Sequence, residues 1–442
     1  MSGGDGRTGP VVYGIDFGTW TSSLVVLRPD RPPLPVRDPV SPFGAASVRS
    51  AVCLLPDGSM VVGQAAQNSR LRRPDRFRAE FKREFGEPER LRLGERSLTA
   101  EQLTAQVLGF LVDGARTAVH AAPSRVVITV PATWEHHRRE LMLGAAEAAG
   151  LPPEIVRLET EPVAAMVYAL HDHGMDRDRT VLVYDLGGGT FDLAVARGTK
   201  ESYTVVGAPG GLSDVGGLAI DQAVLGLVRE RCPDGVDRLR RTVADPDDAT
   251  ALRRAILLAE ACVTFKQQLS VSPEHSDLLT MLDPPAEVTL TRSDLREAIR
   301  PLLSETVEEC ERVLRAYGLT WGDLDLIVPV GGSSRLPMVG ELLAERSGRT
   351  VLTVSEPELA VATGAAWLAL EDAAAEPPPT AEPASPLSTR RPPPPSPPSP
   401  PPPPSPPSPP SPPSSLPPKV HALLNAGLTD RMVREAMGHV GG

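Results

Sequence analysis

Short apolar runs bounded by Gly, Pro, Asp and Asn alternate along the chain with longer stretches in which apolar residues recur every three or four positions. The short runs predict strands at Val11–Phe17, Ser22–Leu27, Val126–Val130, Ile155–Leu158, Val181–Tyr184, Leu193–Ala196 and Leu324–Val330. A β-meander is expected from Val48–Leu55 through the turn Pro56-Asp57-Gly58-Ser59 to Met60–Gly63, with a loop or helix start at Gln64–Asn68. The helical period predicts helices at Thr99–Val119, Trp134–Ala149, Val163–Leu170, Leu218–Arg231, Thr250–Leu269, Ser293–Tyr317 and Pro337–Arg346. Thr99 is the N-cap of the first, and Gly150 closes the second. Between Arg70 and Arg92, Phe77, Phe81 and Phe85 at i, i+4 and i+8 predict one further helical stripe facing a core, with its arginines in solvent and Lys82-Arg83 able to face phosphate.

This alternation stops after Glu371. Pro377–Pro418 holds about half of the 49 prolines, interleaved with serine, and suits extended polyproline II. At about 3.1 Å per residue it would reach on the order of 130 Å. Lys419–Gly442 carries Val420, Leu423, Leu424, Met432, Val433, Ala436 and Met437, spaced as two short amphipathic turns. The expected organisation is one folded unit over residues 10–372, a linker over 373–418 and a helical end over 419–442.

At 442 residues and 41% apolar content the chain can fill more than one core. The net charge of −11 and pI near 5.4 speak against nucleic acid as a partner. No run of eighteen apolar residues is present and Met1–Arg7 lacks an apolar h-region, so neither a membrane span nor a signal peptide is expected, and the cytoplasm is the expected location. Cys53, Cys232, Cys262 and Cys310 lack metal-ligand spacing, and the adjacent His136 and His137 point to different helix faces.

Chemistry concentrates in Asp185-Leu186-Gly187-Gly188-Gly189-Thr190-Phe191-Asp192, a predicted hairpin tip between two apolar strands. Three glycines permit positive φ and let a ligand approach backbone N–H groups, which suits phosphate. Asp185 and Asp192 would repel a bare polyphosphate, so they point to a hydrated divalent cation, Mg²⁺, between carboxylate and phosphate. An ordinary flexible hairpin is the alternative for this piece alone. Gly14-Ile15-Asp16-Phe17-Gly18-Thr19-Trp20-Thr21 repeats the pattern, which suggests two similar lobes facing one cleft. Glu161 stands at a strand-to-helix junction before Pro162, where it can complement a helix dipole or reach a reacting water. Gly207–Gly217 reads as a glycine-rich loop whose following helix start offers amides to phosphate, and Gly331-Gly332-Ser333-Ser334-Arg335 is a third such loop.

Together Gly14–Thr19, Glu161-Pro162-Val163-Ala164-Ala165, Asp185–Asp192 and Val330–Pro337 resemble the ATPase domain of the heat-shock-70 (DnaK-type) chaperones, over about residues 10–372. The resemblance implies an α/β, actin-like fold: two lobes on ribonuclease-H-like mixed sheets, lobe I over about 10–178 plus 354–372 and lobe II over about 179–353. It implies ATP or ADP with Mg²⁺ in the cleft. Asp16 and Asp185 would hold the metal through water, while Glu161, Thr190 and Asp192 would complete the catalytic set. Gly18, Thr19, Trp20, Gly187, Gly188, Gly189, Gly216 and Gly217 would flank the phosphates. Lys266, Gln267, Ser270, Gly331, Gly332, Ser333, Arg335 and Glu358 would hold the rest of the nucleotide. Pro131 and Arg139 match positions that relay nucleotide state between lobes.

Departures from the family pattern qualify this. Gln67 stands where the family has a phosphate-facing catalytic lysine, Trp20 where a small hydroxyl residue is usual, and Gln267 where an adenine-stacking arginine is usual. No β-sandwich pattern follows Glu371. The function implied is a Mg·ATP-binding chaperone-type module that passes its nucleotide state to an unidentified protein partner, with slow or impaired ATP hydrolysis because Gln67 replaces the family lysine. Two alternatives stand beside it: an interaction scaffold working through the proline-rich segment, and a sugar kinase or filament protein of the actin-like superfamily.

Overall fold

Two mixed sheets are each organised around one Asp-bearing hairpin. The computed structural model describes residues 9–41, 44–172, 178–198, 203–243, 249–352, 354 and 356–375. The expectations for Pro377–Pro418 and Lys419–Gly442 lie outside these residues.

In the first lobe the hairpin Val12–Phe17 and Thr21–Leu27 is antiparallel, and Val12–Phe17 also pairs in parallel with Arg125–Val130, which pairs in parallel with Val156–Thr160. In the second lobe Arg179–Leu186 pairs antiparallel with Phe191–Gly198 and in parallel with Leu326–Val330, while Tyr203–Leu212 adds an outer antiparallel strand. The shared frame is a hairpin with a parallel neighbour, which brings strand ends to one edge of each sheet.

Helices Glu161–Asp172 and Pro357–Ala375 form the layer between the sheets. One apolar cluster joins Val12, Val25 and Val127 of the first sheet to Val181, Val183 and Val328 of the second through these helices. Small residues make this layer thin. A Cβ on Gly364 would run into the Ala164 carbonyl, and one on Gly14 into the backbone of Ala362–Ala366. The Val163-Ala164-Ala165 run is thus accounted for by close helix crossing. Separate cores fill each lobe, around Tyr13, Phe17 and Phe81 in one and Tyr184, Phe191 and Phe265 in the other.

Several elements follow local rules. Thr99 Oγ1 accepts from the Gln102 N–H at 3.3 Å and Gln102 Oε1 accepts from the Thr99 N–H at 3.0 Å, a capping box that opens Ala100–Val119. Thr291 and Asp294 do the same for Arg292–Ala316.

Elsewhere the structure corrects the pattern. Residues 70–92 form no α-helix: a 3₁₀ turn at Pro74–Arg76 leads into strand Phe77–Ala79, Glu80 is left-handed at φ 61°, and a 3₁₀ turn follows at Phe81–Glu84. Pro74 disfavours a helix through this stretch. The three phenylalanines are buried in different places: Phe77 packs with Ala51, Cys53 and Ala66, whereas Phe81 and Phe85 enter the lobe core. The neighbouring arginines are not all solvated, since Arg78 is buried and pairs with Glu84 at 2.8 Å. The expected Val48–Leu55 strand is split at Ser50. Val48–Arg49 joins the large sheet through Thr21 and Ser22, and Ala51–Leu54 joins Met60–Val62 and Phe77–Ala79.

Much of the expected loop Gly207–Gly217 is strand, because Tyr203–Leu212 continues along Phe191–Gly198 past an irregularity between Leu193 and Val195. Its Gly210 makes room for Val313 and Glu309 of the adjacent helix. No helix among the described residues is long and apolar enough to cross a membrane.

Candidate active site

The two hairpin tips, the Glu161 junction and the Gly331 turn open onto one cleft of about 930 Å³ between the lobes. Its walls include Asp16, Gly18, Thr19, Trp20, Pro131, Glu161, Asp185, Gly187, Gly188, Thr190 and Asp192. Gly217, Lys266, Gln267, Ser270, Gly331, Gly332, Ser333, Arg335 and Glu358 line it as well. Gly189 and Gly216 lie just behind: a Cβ on Gly189 would sit 3.3 Å from Thr19 Cγ2, and one on Gly216 would press on the Gly189–Thr190 backbone. Arg139 is not among the lining residues; its Nε donates to the Trp134 carbonyl at 3.0 Å.

The central hairpin tip is built to turn its carbonyls away. Gly187 O accepts from Ser333 Oγ at 2.9 Å and from the Gly217 N–H at 3.0 Å, and Gly188 O accepts from the Leu218 N–H at 2.8 Å. The helix start at Gly217 is therefore not a free phosphate cradle, as its first amides hold the glycine tip. The Gly188 and Gly189 amides have no backbone acceptor among the described residues, and they belong to the segment that meets Thr19 and Trp20 across the cleft. Gly331, at φ 81°, has to be glycine twice over: its conformation is left-handed, and a Cβ would strike the Asp185 carboxylate.

Strand register brings the carboxylates together. Asp185 and Asp192 are directly opposed across the hairpin, and Asp16 is opposed to Ser23. Thr129 Oγ1 donates to Asp16 at 3.1 Å, and Thr190 Oγ1 donates to Asp192 at 2.8 Å. Thr190 thus orients a carboxylate. Glu161, buried at the first turn of its helix, receives Lys82 Nζ at 3.0 Å.

Four carboxylates around one ammonium leave excess negative charge. Burial and then the Glu161 charge push the Asp16 carboxyl up to about 6. The same two causes, in that order, push Asp192 to about 6. Asp185 is raised well above the usual carboxylate range by burial, then by Glu161, Asp192 and Asp16. Burial works to lower the Lys82 pKa, but Glu161 and Asp16 outweigh it and hold the ammonium above its ordinary value. Among the described residues no cluster of three acidic, His or Cys side chains is close enough to clasp a metal ion directly. A cation held through its water shell by Asp16 and Asp185, and against a phosphate, fits the excess charge.

Toward the other end of the cleft, Lys266 Nζ pairs with Asp221 at 2.7 Å and donates to the Gly217 carbonyl at 3.1 Å. Arg335 forks onto Glu358 with contacts of 2.6 and 3.1 Å. Ser270 Oγ turns back to the Gln267 carbonyl at 2.5 Å.

Gln67 is elsewhere. It lines a separate cavity of about 80 Å³ with Trp20, Arg49, Glu80, Asp221 and Glu260, and its Nε2 lies 3.5 Å from Glu260 Oε1. Trp20 stands between the two spaces: its Cβ fits where Gly188 lacks one, and its ring stacks under the Arg49 guanidinium at 3.3 Å. The lobes touch at this cavity through Arg70 and Glu260, beside the main cleft through Arg83 and Asp214, and elsewhere through Arg253 and the Leu71 carbonyl. Arg49, Glu80 and Asp221 carry no motif in the sequence. The sequence signal for Lys82 is the Phe81-Lys82-Arg83 segment, which matches the family's and offers a cation to phosphate.

Over residues 89–371 the chain matches the family model described as Hsp70 protein. It is similar to Chaperone protein DnaK of Halobacterium salinarum, with 32% identity over 365 residues that cover 80% of this chain and 55% of that protein. It is also similar to Chaperone protein DnaK of Methanothermobacter thermautotrophicus, with 28% identity over 361 residues, 80% of this chain and 59% of that protein. The chain thus spans little more than half the length of these curated relatives. The two-lobed α/β architecture is that of the actin-like ATPases, and the chain belongs to the Hsp70 family.

Proposed function

We propose that this protein is a chaperone-type module that binds Mg·ATP between its lobes, passes its nucleotide state to a protein partner and hydrolyses ATP slowly. The observation that carries this is the convergence of Asp16, Glu161, Asp185 and Asp192 on a cleft walled by glycine turns from both lobes. Bound Mg²⁺ supplies charge neutralisation for carboxylates and phosphate alike. Asp16 and Asp185 hold its water shell, and Glu161 and Asp192 face the attacking water. The Gly188 and Gly189 amides receive phosphate oxygens, while the Gly331 turn, Ser333, Arg335, Lys266 and Ser270 hold the nucleoside. In the ligand-free fold Glu161 is tied to Lys82, and slow turnover follows if that pair must loosen before the carboxylate can orient water. Contacts between the lobes beside the cleft make closure the means by which occupancy reaches a partner. Membership of the Hsp70 family favours this over a sugar kinase or filament protein.

Isothermal titration of the full chain with ATP and with ADP, each with Mg²⁺, is the direct test. Saturable binding of both is expected, with steady-state turnover well below about 1 s⁻¹, the low end for enzymes in general. Absence of heat with either nucleotide sinks the proposal.

A further inference from the structure

Of the side chains set to hold a nucleoside, nearly all are already bound to partners within the chain. Lys266 and Asp221 are 14% and 13% exposed and pair at 2.7 Å, and withdrawing one member of such a buried pair leaves the other charge unmet. Arg335 forks onto Glu358, Ser333 Oγ donates to the Gly187 carbonyl at 2.9 Å, and Ser270 Oγ donates to the Gln267 carbonyl. The side-chain amide of Gln267 is the exception. It lines the cleft, is exposed, and has no hydrogen-bond partner among the described residues.

We infer that the cleft takes purine nucleoside triphosphates as a class, guanine as readily as adenine, because its walls offer the base a stacking plane and one reversible amide. Neutral base and sugar groups compete poorly for Lys266 and Arg335, since a hydrogen bond to a charged partner is about twice as strong as one between neutral groups. The fork onto Glu358 instead fixes the plane of the Arg335 guanidinium, on a side chain that is 49% exposed. A guanidinium held in plane stacks on any base, because every base has a π-face. Reading of the base edge then falls to Gln267. An amide carries both donor and acceptor, and turning it over exchanges them. It therefore pairs with the amino group and ring nitrogen of adenine or with the carbonyl and ring N–H of guanine. Ser270 Oγ, its proton committed, is left to accept, and both purines carry an amino group that donates. Affinity then comes from stacking and from the phosphates, which the two nucleotides share. This rests on the nucleotide reading above, and the measurements keep the two apart.

Affinities for Mg·ATP and Mg·GTP are measured by titration on the full chain as wild type, Gln267→Ala and Arg335→Ala; both replaced side chains are exposed, so neither change empties a core. The wild type is expected to bind the two nucleotides within about tenfold of each other. That limit is about 1.4 kcal/mol, near the most that one neutral hydrogen bond contributes. Gln267→Ala should weaken both by a similar factor and leave their ratio inside the same limit. Arg335→Ala should weaken both by about fivefold or more, the low end for losing a stacking partner. A preference above about tenfold for either nucleotide, in any of the three proteins, means that a base edge is read and overturns the inference while the nucleotide reading stands. A smaller loss than about fivefold in Arg335→Ala removes the stacking plane and overturns it too. If the wild type binds neither nucleotide, the nucleotide reading itself falls and takes this inference with it.

Discussion

The two hairpins share a frame and differ in what they put at the tip. In the second lobe Asp185 and Asp192 face each other across a run of three glycines, and the tip is pinned from behind by Ser333 and the Gly217 helix start. In the first lobe Asp16 faces Ser23, and the tip carries Trp20, whose ring runs outward to stack on Arg49. One hairpin concentrates charge and amide donors; the other gives a single carboxylate, held by Thr129, and a rigid aromatic that ties the cleft to the contact between the lobes. A repeated strand pattern therefore sets position, while the residues at its tip set the task.

Neutralising one aspartate from each hairpin gives the largest expected effect. Asp185→Asn and Asp16→Asn should each lower ATP turnover by about 100-fold or more, the scale for removing a preorganised charge from a reacting centre. The ligand-free proteins should diverge. Burial and three neighbouring carboxylates raise Asp185, whereas Asp16 is raised by burial and Glu161 alone; Lys82 relieves both, and Thr129 adds its relief at Asp16. Melting at pH 7.5 should thus show Asp185→Asn stabilised more than Asp16→Asn. Equal shifts would remove the asymmetry.

A smaller effect is expected in pH. Asp16 and Asp192 titrate near 6 in the fold, against about 3.9 in an unfolded chain. Between those values the folded state binds more protons than the unfolded state, so ligand-free stability falls as pH rises through that window. Mg²⁺ with nucleotide favours the ionised carboxylates. The rise in melting temperature on adding Mg·ADP should accordingly be greater at pH 7.5 than at pH 5, and a constant rise across that range would mean that these carboxylates do not meet the cation.

Much of the site was legible because hairpin tips obey local rules. Asp185, Gly188 and Asp192 sit in consecutive residues, and register follows from the turn. The helix capped by Thr99 was legible for the same reason. Lys82 was legible as a cation able to face phosphate but not in its place, which depends on Pro74 and the left-handed Glu80 breaking a stripe of three phenylalanines that reads as a helix. Helix Pro357–Ala375 was hidden in the opposite way: buried against both sheets, it has no polar face and hence no helical period to detect. Gly207–Gly211 read as a loop because glycines were needed for packing against Val313 and Tyr317, and composition does not separate that use from a turn.

The smallest expected effect tests the contrast between Gln67 and Lys82. From alignment with the family alone, Gln67→Lys should restore a missing phosphate-facing cation and raise turnover. In the folded chain the Gln67 amide is turned to Glu260, next to Arg70, which pairs with the same carboxylate. A lysine there meets Glu260 on the far side of Trp20 from the glycine tips, and an ammonium separated by a tryptophan ring and a second cavity adds little at the reacting phosphate. Turnover of Gln67→Lys should therefore stay within about twofold of wild type, a difference of roughly 0.4 kcal/mol in barrier. Single-turnover measurement with ATP in excess of its Kd isolates that step from binding. A rise of about tenfold or more, worth roughly 1.4 kcal/mol, would show that residue 67 reaches the cleft during the reaction. The lobes would then have to move enough to break the Arg70–Glu260 contact before hydrolysis.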